Sequence, residues 1–162
     1  MPVSANDFRR GLGQFGSGVT VVTTHSSSGR AFGLTVSSFC SVSLDPPLVL
    51  VCIHNRSEAH AGFADSGVFA VSVLAEGQEE ESRHFSSAGP DKVDGSYPRG
   101  RQGAALVPGA LAHIECRVVA THVAGDHHVY VGEVLNVSAR PGRPLMYHGG
   151  RYHRLADDGQ PT

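Results

Sequence analysis

The sequence contains few cysteines, and their spacing excludes the usual cysteine-based sites. The chain has three cysteines, Cys40, Cys52 and Cys116. Their odd number argues against a disulfide framework, and the absence of a C-x-x-C pair argues against a zinc site built on paired cysteines. Each cysteine lies among apolar neighbours, so we interpret all three as buried, small hydrophobic residues. This pattern favours a reduced, cytoplasmic setting.

Long apolar runs and a strong excess of one charge are also missing. No stretch approaches the roughly 20 apolar residues of a membrane-spanning helix, and the polar start, MPVSANDFRRGLGQF, lacks the apolar segment of a signal peptide. The chain has 13 basic and 15 acidic residues, a formal net charge of −2, and no basic stripe. We therefore expect neither a membrane nor a nucleic acid as partner.

The motifs of hydrolases and metalloenzymes are absent from the sequence. There is no G-x-S-x-G nucleophile elbow and no H-E-x-x-H pair, although the chain has 10 histidines. His127 and His128 are adjacent on a predicted strand, so their side chains point to opposite faces and we expect no shared metal ion. The run GLGQFG at 11–16 matches G-x-G-x-x-G but precedes the first strand, which makes it a chance match.

The segments that are present predict a β-rich domain. The 162 residues include 20 glycines and 9 prolines and are 40% hydrophobic, which suits one domain, 1–162, with many turns and a substantial core. No regular βαβ alternation occurs, so an antiparallel barrel with helices at its ends or sides is favoured. The predicted helices are 4–14, 55–67 and 77–89. The predicted strands are 18–25, 31–39, 40–54 with a break at Pro46-Pro47, 68–75, 110–124, 127–138 and a short pair within 144–155.

Polar residues flank one apolar segment in a way that suits a phosphate-bearing ligand. The run LVLVCI at 48–53 predicts a strand buried on both faces. A hydroxyl-rich stretch, TVSS at 35–38, precedes it, and a helix start with Arg56 and Ser57 follows it. Because free N–H groups at a helix start attract anions, this arrangement can bind a ring and a phosphate at one edge of the barrel.

Two further segments carry candidate functional residues. The turn signal Gly125-Asp126 predicts a β-hairpin whose second strand begins with His127 and His128. Residues 90–108 are rich in Gly, Pro, Arg and Asp and predict a long loop, and loops of this length are usually functional.

The chain resembles the short-chain flavin reductases, the reductase components of two-component flavin-dependent monooxygenases. The resemblance covers about residues 8–155 and rests on GVTVVTT, GLTVSSFCSVSLDPPLVLVCI, FAVSVLAEGQEEESRHFS, DKV, PGALAHIECRVV, GDHHVYVGEV and PLMYHGGRYHRL. It implies the FMN-binding split barrel, a mainly β, antiparallel six-stranded Greek-key barrel with short flanking helices, assembled as a homodimer. It also implies reduction of FMN or FAD by NADH or NADPH, with reduced flavin passing to a separate, transiently bound oxygenase.

The resemblance further implies roles for individual residues. The TVSS segment would line the flavin ring, the strand end and helix start would hold the ribityl chain and phosphate, and the second helix with DKV would approach the phosphate. These positions are Thr35, Val36, Ser37 and Ser38, then Cys52, His54, Asn55 and Ser57, and then Arg83, Phe85 and Lys92. The family usually has Phe where this chain has Val93.

The resemblance implies that the GDH tripeptide, residues 125–127, lies on the nicotinamide side of the flavin. His127 would face the cofactor, oriented by a hydrogen bond to Asp126, and His128 would point away. Tyr152 would border the nicotinamide pocket together with His148. The hairpin histidine favours an enzyme, because a protein that only binds flavin needs no such residue.

Two other functions stay open at this point. One is a flavoprotein that retains FMN and reduces another acceptor, such as a quinone or a nitro compound. The other is a non-enzymatic flavin- or haem-binding module. The choices between FMN and FAD and between NADH and NADPH are also open, with Arg99, Arg101 and Arg143 as candidates for contact with a 2′-phosphate.

Overall fold

The structure is a computed structural model that describes residues 3–89 and 92–156. Its helices are α1 (Ala5–Leu12), α2 (Ala59–Ser66) and α3 (Glu79–Ser86). Its strands are β1 (Ser17–Gly18), β2 (Thr20–His25), β3 (Ala31–Val36), β4 (Phe39–Leu44), β5 (Pro47–His54), β6 (Val68–Val73), β7 (Ala112–Ala124), β8 (His127–Ala139), β9 (Met146–His148) and β10 (Arg151–His153). None of the helices within these described ranges is long and apolar enough to cross a membrane.

The strands form one large and one small antiparallel sheet. The large sheet has seven strands in the order β3-β2-β6-β7-β8-β5-β4, and the small sheet has the order β1-β9-β10. The predicted mainly β, antiparallel fold with few helices is thereby confirmed. The expected count of six barrel strands is not confirmed, because β4 adds a seventh strand at one edge of the large sheet.

The large sheet curves around its main core. Val36 of β3, at one edge, shares a cluster of buried side chains with Val51 of β5, which lies next to the other edge. Phe63 of α2 and Phe69 of β6 complete the cluster, with ring centroids 5.5 Å apart. Residues from distant strands therefore close on one interior, and α2 covers it.

A second core lies on the outer side of β2. Consecutive side chains of a strand point to opposite faces, so Val22 joins the main core while Val21 packs with Leu74, Phe85 and Leu145 in the second cluster. Both valines are fully buried. β2 is therefore a strand buried on both faces.

The prediction of two-sided burial for residues 48–53 is wrong. On β5, Val49, Val51 and Ile53 are buried, whereas Leu50 and Cys52 on the opposite face are only half-buried. Within the part of the chain that the structure describes, no further layer buries this second face, which leaves room for a cleft.

The cysteines also differ from the prediction. Cys116 is buried as expected, Cys52 is half-buried, and Cys40 is exposed. Cys40 lies on β4, the edge strand beyond β5, and faces the same cleft as Cys52. The prediction of burial is therefore wrong for Cys40.

The first helix forms close to its predicted place, but its apolar stripe is not covered. Ser4 caps α1, its Oγ accepting a hydrogen bond from the N–H of Asp7 at 3.1 Å. Phe8, Leu12 and Phe15, which recur at helical spacing and form this stripe, are all exposed. The helix is fixed mainly at its end, where the N–H of Gly149 donates to the carbonyl of Gly13 at 3.0 Å.

The long loop before β7 is anchored by a buried carboxylate. The prediction of a loop is confirmed over residues 92–108, with a single bridge between Arg99 and Ala105, while residues 90 and 91 lie outside the described residues. Glu115 of β7 is 2% exposed and accepts hydrogen bonds from the N–H of Gln102 at 2.7 Å and from Asn136 Nδ2 at 2.8 Å. Burial raises the pKa of Glu115, but these hydrogen bonds outweigh it and the pKa lies below its ordinary value.

Candidate active site

Two clefts are lined by residues that follow one another along the chain: β3 lines one and the segment just after β3 lines the other. The apolar cleft, of about 440 Å³, is lined by Leu12, Phe15, Phe39, Leu50 and Tyr147, with Ser37, Ser38, Cys40, Cys52 and His148 as its polar members. The basic cleft, of about 260 Å³, is lined by residues that include Arg30, Arg56, Ser57, Glu58, Lys92 and residues 31–34 of β3. Volumes of this order are ordinary for small-molecule sites.

The apolar cleft exists because the second face of β5 is open. Leu50 and Cys52 form its floor, and the residues after β3 form one side, since Ser38 Oγ donates to the carbonyl of Cys52 at 3.1 Å. The end of α1 and the turn between β9 and β10 supply the opposite side, with Phe15 and Tyr147. The result is a cleft with apolar walls and backbone groups at its rim, which suits a flat aromatic ligand.

The basic cleft combines three cationic side chains with a helix start. Arg30 Nη2 lies 2.8 Å from Glu58 Oε2, and Lys92 Nζ donates to the carbonyl of Phe85 at 3.0 Å. Burial lowers the pKa of Lys92. Ser57 Oγ accepts from the N–H of Ala59, the first residue of α2, at 3.3 Å. Three cations against one carboxylate make this cleft suitable for an anion such as a phosphate.

The spacing of the two clefts fits one extended ligand. Leu34 lies in the basic cleft and Ser38 in the apolar cleft, and four residues can separate their Cα atoms by at most about 14 Å. A flat ring system with a phosphorylated polyol tail can reach across this distance and has this division into apolar and anionic parts. The residues present therefore fit a flavin nucleotide.

The β7–β8 hairpin places His127 on the face of the sheet that carries the apolar cleft. His54 pairs with His127 and Cys52 pairs with Val129 in the register of β5 with β8, and paired residues share a face. His127 Nδ1 lies 2.7 Å from Asp126 Oδ1, and the rings of His54 and His127 are 5.2 Å apart. The hydrogen bond to His127 is the main cause that lowers the pKa of Asp126.

His128 points to the other face of the hairpin, as the alternation of a strand requires. Its Nδ1 donates to Asn55 Oδ1 at 2.8 Å, and its ring lies 4.8 Å from that of His60. Although four histidines gather near this hairpin tip, residues 3–89 and 92–156 contain no group of three or more His, Cys, Asp or Glu that could hold a metal ion.

Several residues implied by the resemblance lie outside both clefts. Val36 is 4% exposed in the main core, and Phe85 is 1% exposed in the second core, beneath Gly33. Thr35 Oγ1 donates to the carbonyl of Ser82 at 2.7 Å, so its side chain faces α3. Only the backbone of Thr35 and Val36 is available to a ligand, and Phe85 supports β3 from below.

The pair Arg83 and Tyr152 lies beside α3 rather than in a cleft. The Arg83 guanidinium carbon is 5.3 Å from the centre of the Tyr152 ring, and the Tyr152 hydroxyl donates to Ser82 Oγ at 2.8 Å. Tyr147, whose ring lies 5.4 Å from that of Tyr152, is the tyrosine that lines the apolar cleft. Of the predicted set, the structure brings Ser37, Ser38 and Cys52 into one cleft and Ser57 and Lys92 into the other.

Sequence reasoning missed three kinds of cleft residue. Phe15 was not a predicted site residue, and Cys40 was predicted to be buried. Arg30 follows a turn, SSSGR, and nothing in its immediate neighbours distinguishes it from a solvated surface arginine. The exposed apolar stripe of α1 was the available signal for Phe15, because a stripe that packs against no other element is free to line a site.

Comparison with known proteins agrees with this geometry. The model of the family described as flavin reductase like domain matches residues 12–156. FMN reductase (NADH) SmoA of Agrobacterium fabrum is 42% identical over 153 residues, which cover 94% of this chain and 87% of that protein. The flavin-dependent monooxygenase reductase subunit HsaB of Rhodococcus jostii is 40% identical over 153 residues, covering 93% and 78%.

A solved structure supports the same assignment. It is the Streptomyces globisporus C-1027 NADH:FAD oxidoreductase SgcE6 in complex with NAD and FAD fragments. It matches with a TM-score of 0.89 and 40% identity, over 99% of each chain. The family predicted from the sequence is confirmed: the chain belongs to the flavin reductase like domain family.

Proposed function

We propose that this chain is an NADH-dependent flavin reductase that transfers a hydride from NADH to FMN or FAD. The observation that carries the proposal is that residues 31–34 line the basic cleft and residues 37–40 line the apolar cleft, with His127 on the face of the sheet that carries the apolar cleft. The names of the relatives support it, since SmoA is an NADH-dependent FMN reductase and HsaB is the reductase subunit of a monooxygenase.

The flavin would lie along the two clefts. Its ring system would occupy the apolar cleft over Leu50 and Cys52, and its phosphate would lie in the basic cleft near Ser57 and Lys92. Arg30 would add a second cation at the phosphate end. The ribityl chain would pass along β3 between Leu34 and the serines that follow it.

The chain's own contribution is to bind and orient. When bound, the flavin accepts a hydride from the nicotinamide, and this reactivity belongs to the two nucleotides. Backbone N–H groups of residues 37–39 would stabilise negative charge on the ring system. His127 would bind on the nicotinamide side, with Asp126 fixing the orientation of its imidazole. No acid–base residue is required in this account.

Release of the product follows from the shape of the site. Leu50 and Cys52 form the floor of a cleft that stays open on one side, so the ring system is not enclosed by the chain. We expect moderate flavin affinity and delivery of the reduced flavin to a separate oxygenase through a transient encounter. We propose NADH rather than NADPH as the hydride donor, because the names of SmoA and SgcE6 both specify NADH.

The assembly and location are proposals as well. We infer a six-stranded split barrel within the large sheet, a single functional unit over the whole chain, and a homodimer in the cytoplasm. Support for the homodimer comes from apolar side chains that the chain leaves exposed, including Phe8 and Leu12 on α1 and Val42 and Leu44 on β4. Light scattering on the purified protein would give twice the mass of one chain.

NADH oxidation with and without added flavin tests the proposal. The purified protein should oxidise NADH quickly only when FMN or FAD is added, with riboflavin as the phosphate-free comparison. A retained flavin with a different acceptor predicts oxidation that depends on that acceptor and not on added flavin. A binding module predicts no oxidation under any of these conditions.

A further inference from the structure

We propose that Asn55 is a positioning residue for nicotinamide use, because it anchors the tip of the β7–β8 hairpin and thereby holds His127 at the cleft. The effect on nicotinamide use rests on the proposed function, whereas the hydrogen bonds that anchor the hairpin are a property of the fold. It gives Asn55 a role different from the phosphate contact that the resemblance implies.

Asn55 makes three hydrogen bonds to the hairpin tip. Its N–H donates to the carbonyl of Asp126 at 2.9 Å, and its Nδ2 donates to the carbonyl of Gly125 at 3.2 Å. Its Oδ1 accepts from Nδ1 of His128 at 2.8 Å. Both residues of the turn and the second residue of β8 are thus bonded to one side chain and its backbone.

The position of Asn55 explains why these bonds matter. The pairing of β5 with β8 ends at His54 opposite His127, so the ladder provides no further contact for the turn. The tip is otherwise open to solvent, with Val123 74% exposed and the Asp126 side chain 79% exposed. Two-stranded tips without other support open readily. Asn55 extends the support by one residue beyond the end of the ladder.

The base from which Asn55 acts is itself fixed. His60 of α2 uses Nε2 to donate to the carbonyl of His54 at 3.0 Å, which leaves its Nδ1 to accept from the Tyr130 hydroxyl at 2.7 Å. The backbone just before Asn55 is therefore tied to α2 and to β8. Asn55 connects this fixed point to the exposed end of the hairpin.

The chemistry of the Asn55 side chain separates the two roles. Its amide donor and its amide acceptor are both engaged by the hairpin, whereas Ser57 and Lys92 line the basic cleft. Replacing a residue that acts through the hairpin should weaken NADH use and leave flavin binding unchanged. Replacing a residue that binds phosphate should weaken flavin binding and leave NADH use unchanged.

A double-mutant cycle tests this assignment. In Asn55→Ala we expect the KM for NADH to rise about tenfold, the equivalent of one to two lost hydrogen bonds, while the Kd for FMN changes less than about twofold. His127→Ala should show a similar rise. The double variant should be no worse than His127→Ala alone, because both changes remove the same interaction. Additive effects, or a weaker FMN affinity with an unchanged KM, would overturn the proposal.

Two further variants act as controls. Asn136→Ala removes the same residue type from the same hairpin, but its Nδ2 bonds Glu115 far from the tip, so its KM for NADH should equal that of the wild type. Asn55→Asp keeps the acceptor for His128 and loses the donor for Gly125, so its effect should lie between wild type and Asn55→Ala. An effect of Asn136→Ala on KM equal to that of Asn55→Ala would contradict a specific role for Asn55.

Hydrogen exchange gives a readout that does not depend on activity. Backbone amides of residues 125–127 should exchange faster in Asn55→Ala than in the wild type, while those of residues 113–118 should not change. Unchanged exchange at the tip contradicts the anchoring. A wild-type protein that fails to reduce flavin with NADH contradicts the proposed function instead, so the two failures are distinguishable.

Discussion

The Nδ1 atom of His127 lies 2.7 Å from Oδ1 of Asp126, the residue immediately before it in the turn. An ionised carboxylate accepts but does not donate, so Nδ1 of the ring carries the proton and Nε2 is the atom free to meet a ligand. The residue that forms the turn therefore also sets the orientation of the imidazole. This arrangement is the structural basis for assigning the nicotinamide side to His127.

Replacing His127 should weaken the use of NADH without weakening the binding of flavin. In His127→Ala we expect a KM for NADH about tenfold above that of the wild type, since one oriented contact is lost. Steady-state kinetics with saturating FMN measures this change. Thr121→Ala, on the opposite face of the same hairpin, is the matched control and should leave the KM unchanged. Identical constants in His127→Ala and wild type would remove His127 from the site.

Replacing Lys92, one of the three cations of the basic cleft, should weaken the binding of FMN but not the binding of riboflavin. Lys92→Met removes a charge from the proposed phosphate end, so the Kd for FMN should rise about tenfold while that for riboflavin, which has no phosphate, stays the same. Fluorescence quenching titrations measure both constants. Arg117→Met removes a cation that pairs with Glu133 outside both clefts and should affect neither flavin. Equal losses for FMN and riboflavin would show that Lys92 acts on the fold and not on the phosphate.

The close approach of α3 to β3 depends on a glycine. A Cβ on Gly33 would lie 2.7 Å from Phe85 Cδ1 and 3.0 Å from Val93 Cγ2, so Gly33→Ala must displace the buried Phe85 ring. We expect the free energy of unfolding to fall by about 1–3 kcal/mol, as in other overpacked cores. Urea denaturation measures the loss. Gly18→Ala, in a strand position with no atom within 4 Å of the added Cβ, is the control and should cost less than about 1 kcal/mol.

The buried carboxylate of Glu115 should make stability depend on pH. Its pKa is lowered in the folded protein, so its contribution is complete above the unfolded pKa of about 4.3 and is lost as the pH falls through the lower, folded value. Glu115→Gln should cost about 1–3 kcal/mol at neutral pH, because the hydrogen bonds from Gln102 and Asn136 lose their charged acceptor.

Urea titrations at neutral and at acidic pH check this prediction. Wild type should lose more stability than Glu115→Gln between the two conditions, so the difference between the proteins should narrow in acid. A constant difference across the pH range would mean that the Glu115 carboxylate does not titrate differently in the folded and unfolded chains.

Much of the fold could be predicted from local sequence patterns. The Gly125-Asp126 turn and the alternating strands around it define the β7–β8 hairpin, and the left-handed Gly67 with φ of 64° ends α2 as predicted. Such signals are local, because a turn or a helix end depends on only a few neighbouring residues. Burial was harder to predict. It depends on which face of a strand another element covers, and LVLVCI carries no sign that one face of β5 stays open.

The candidate site could be predicted only in part for the same reason. Ser37, Ser38 and Cys52 come together because two neighbouring segments of the chain meet there, which the sequence order indicates. Arg30 and Phe15 come from other parts of the chain. They line the clefts because of where β3 and α1 pack, and local sequence does not show that packing. The side chain of Phe85 points away from the cleft because α3 presents it to Gly33, which the Arg-x-Phe pattern alone does not reveal.

The most direct test of the account is the anaerobic reduction of excess flavin by NADH, followed by the loss of flavin absorbance. A large excess of FMN, FAD or riboflavin over protein should be reduced completely and rapidly, because each reduced molecule leaves the open cleft and is replaced. The relative rates would rank the three flavins. If only one flavin per chain became reduced while the excess stayed oxidised, the protein would not be a reductase with a diffusible product, and the central claim would be wrong.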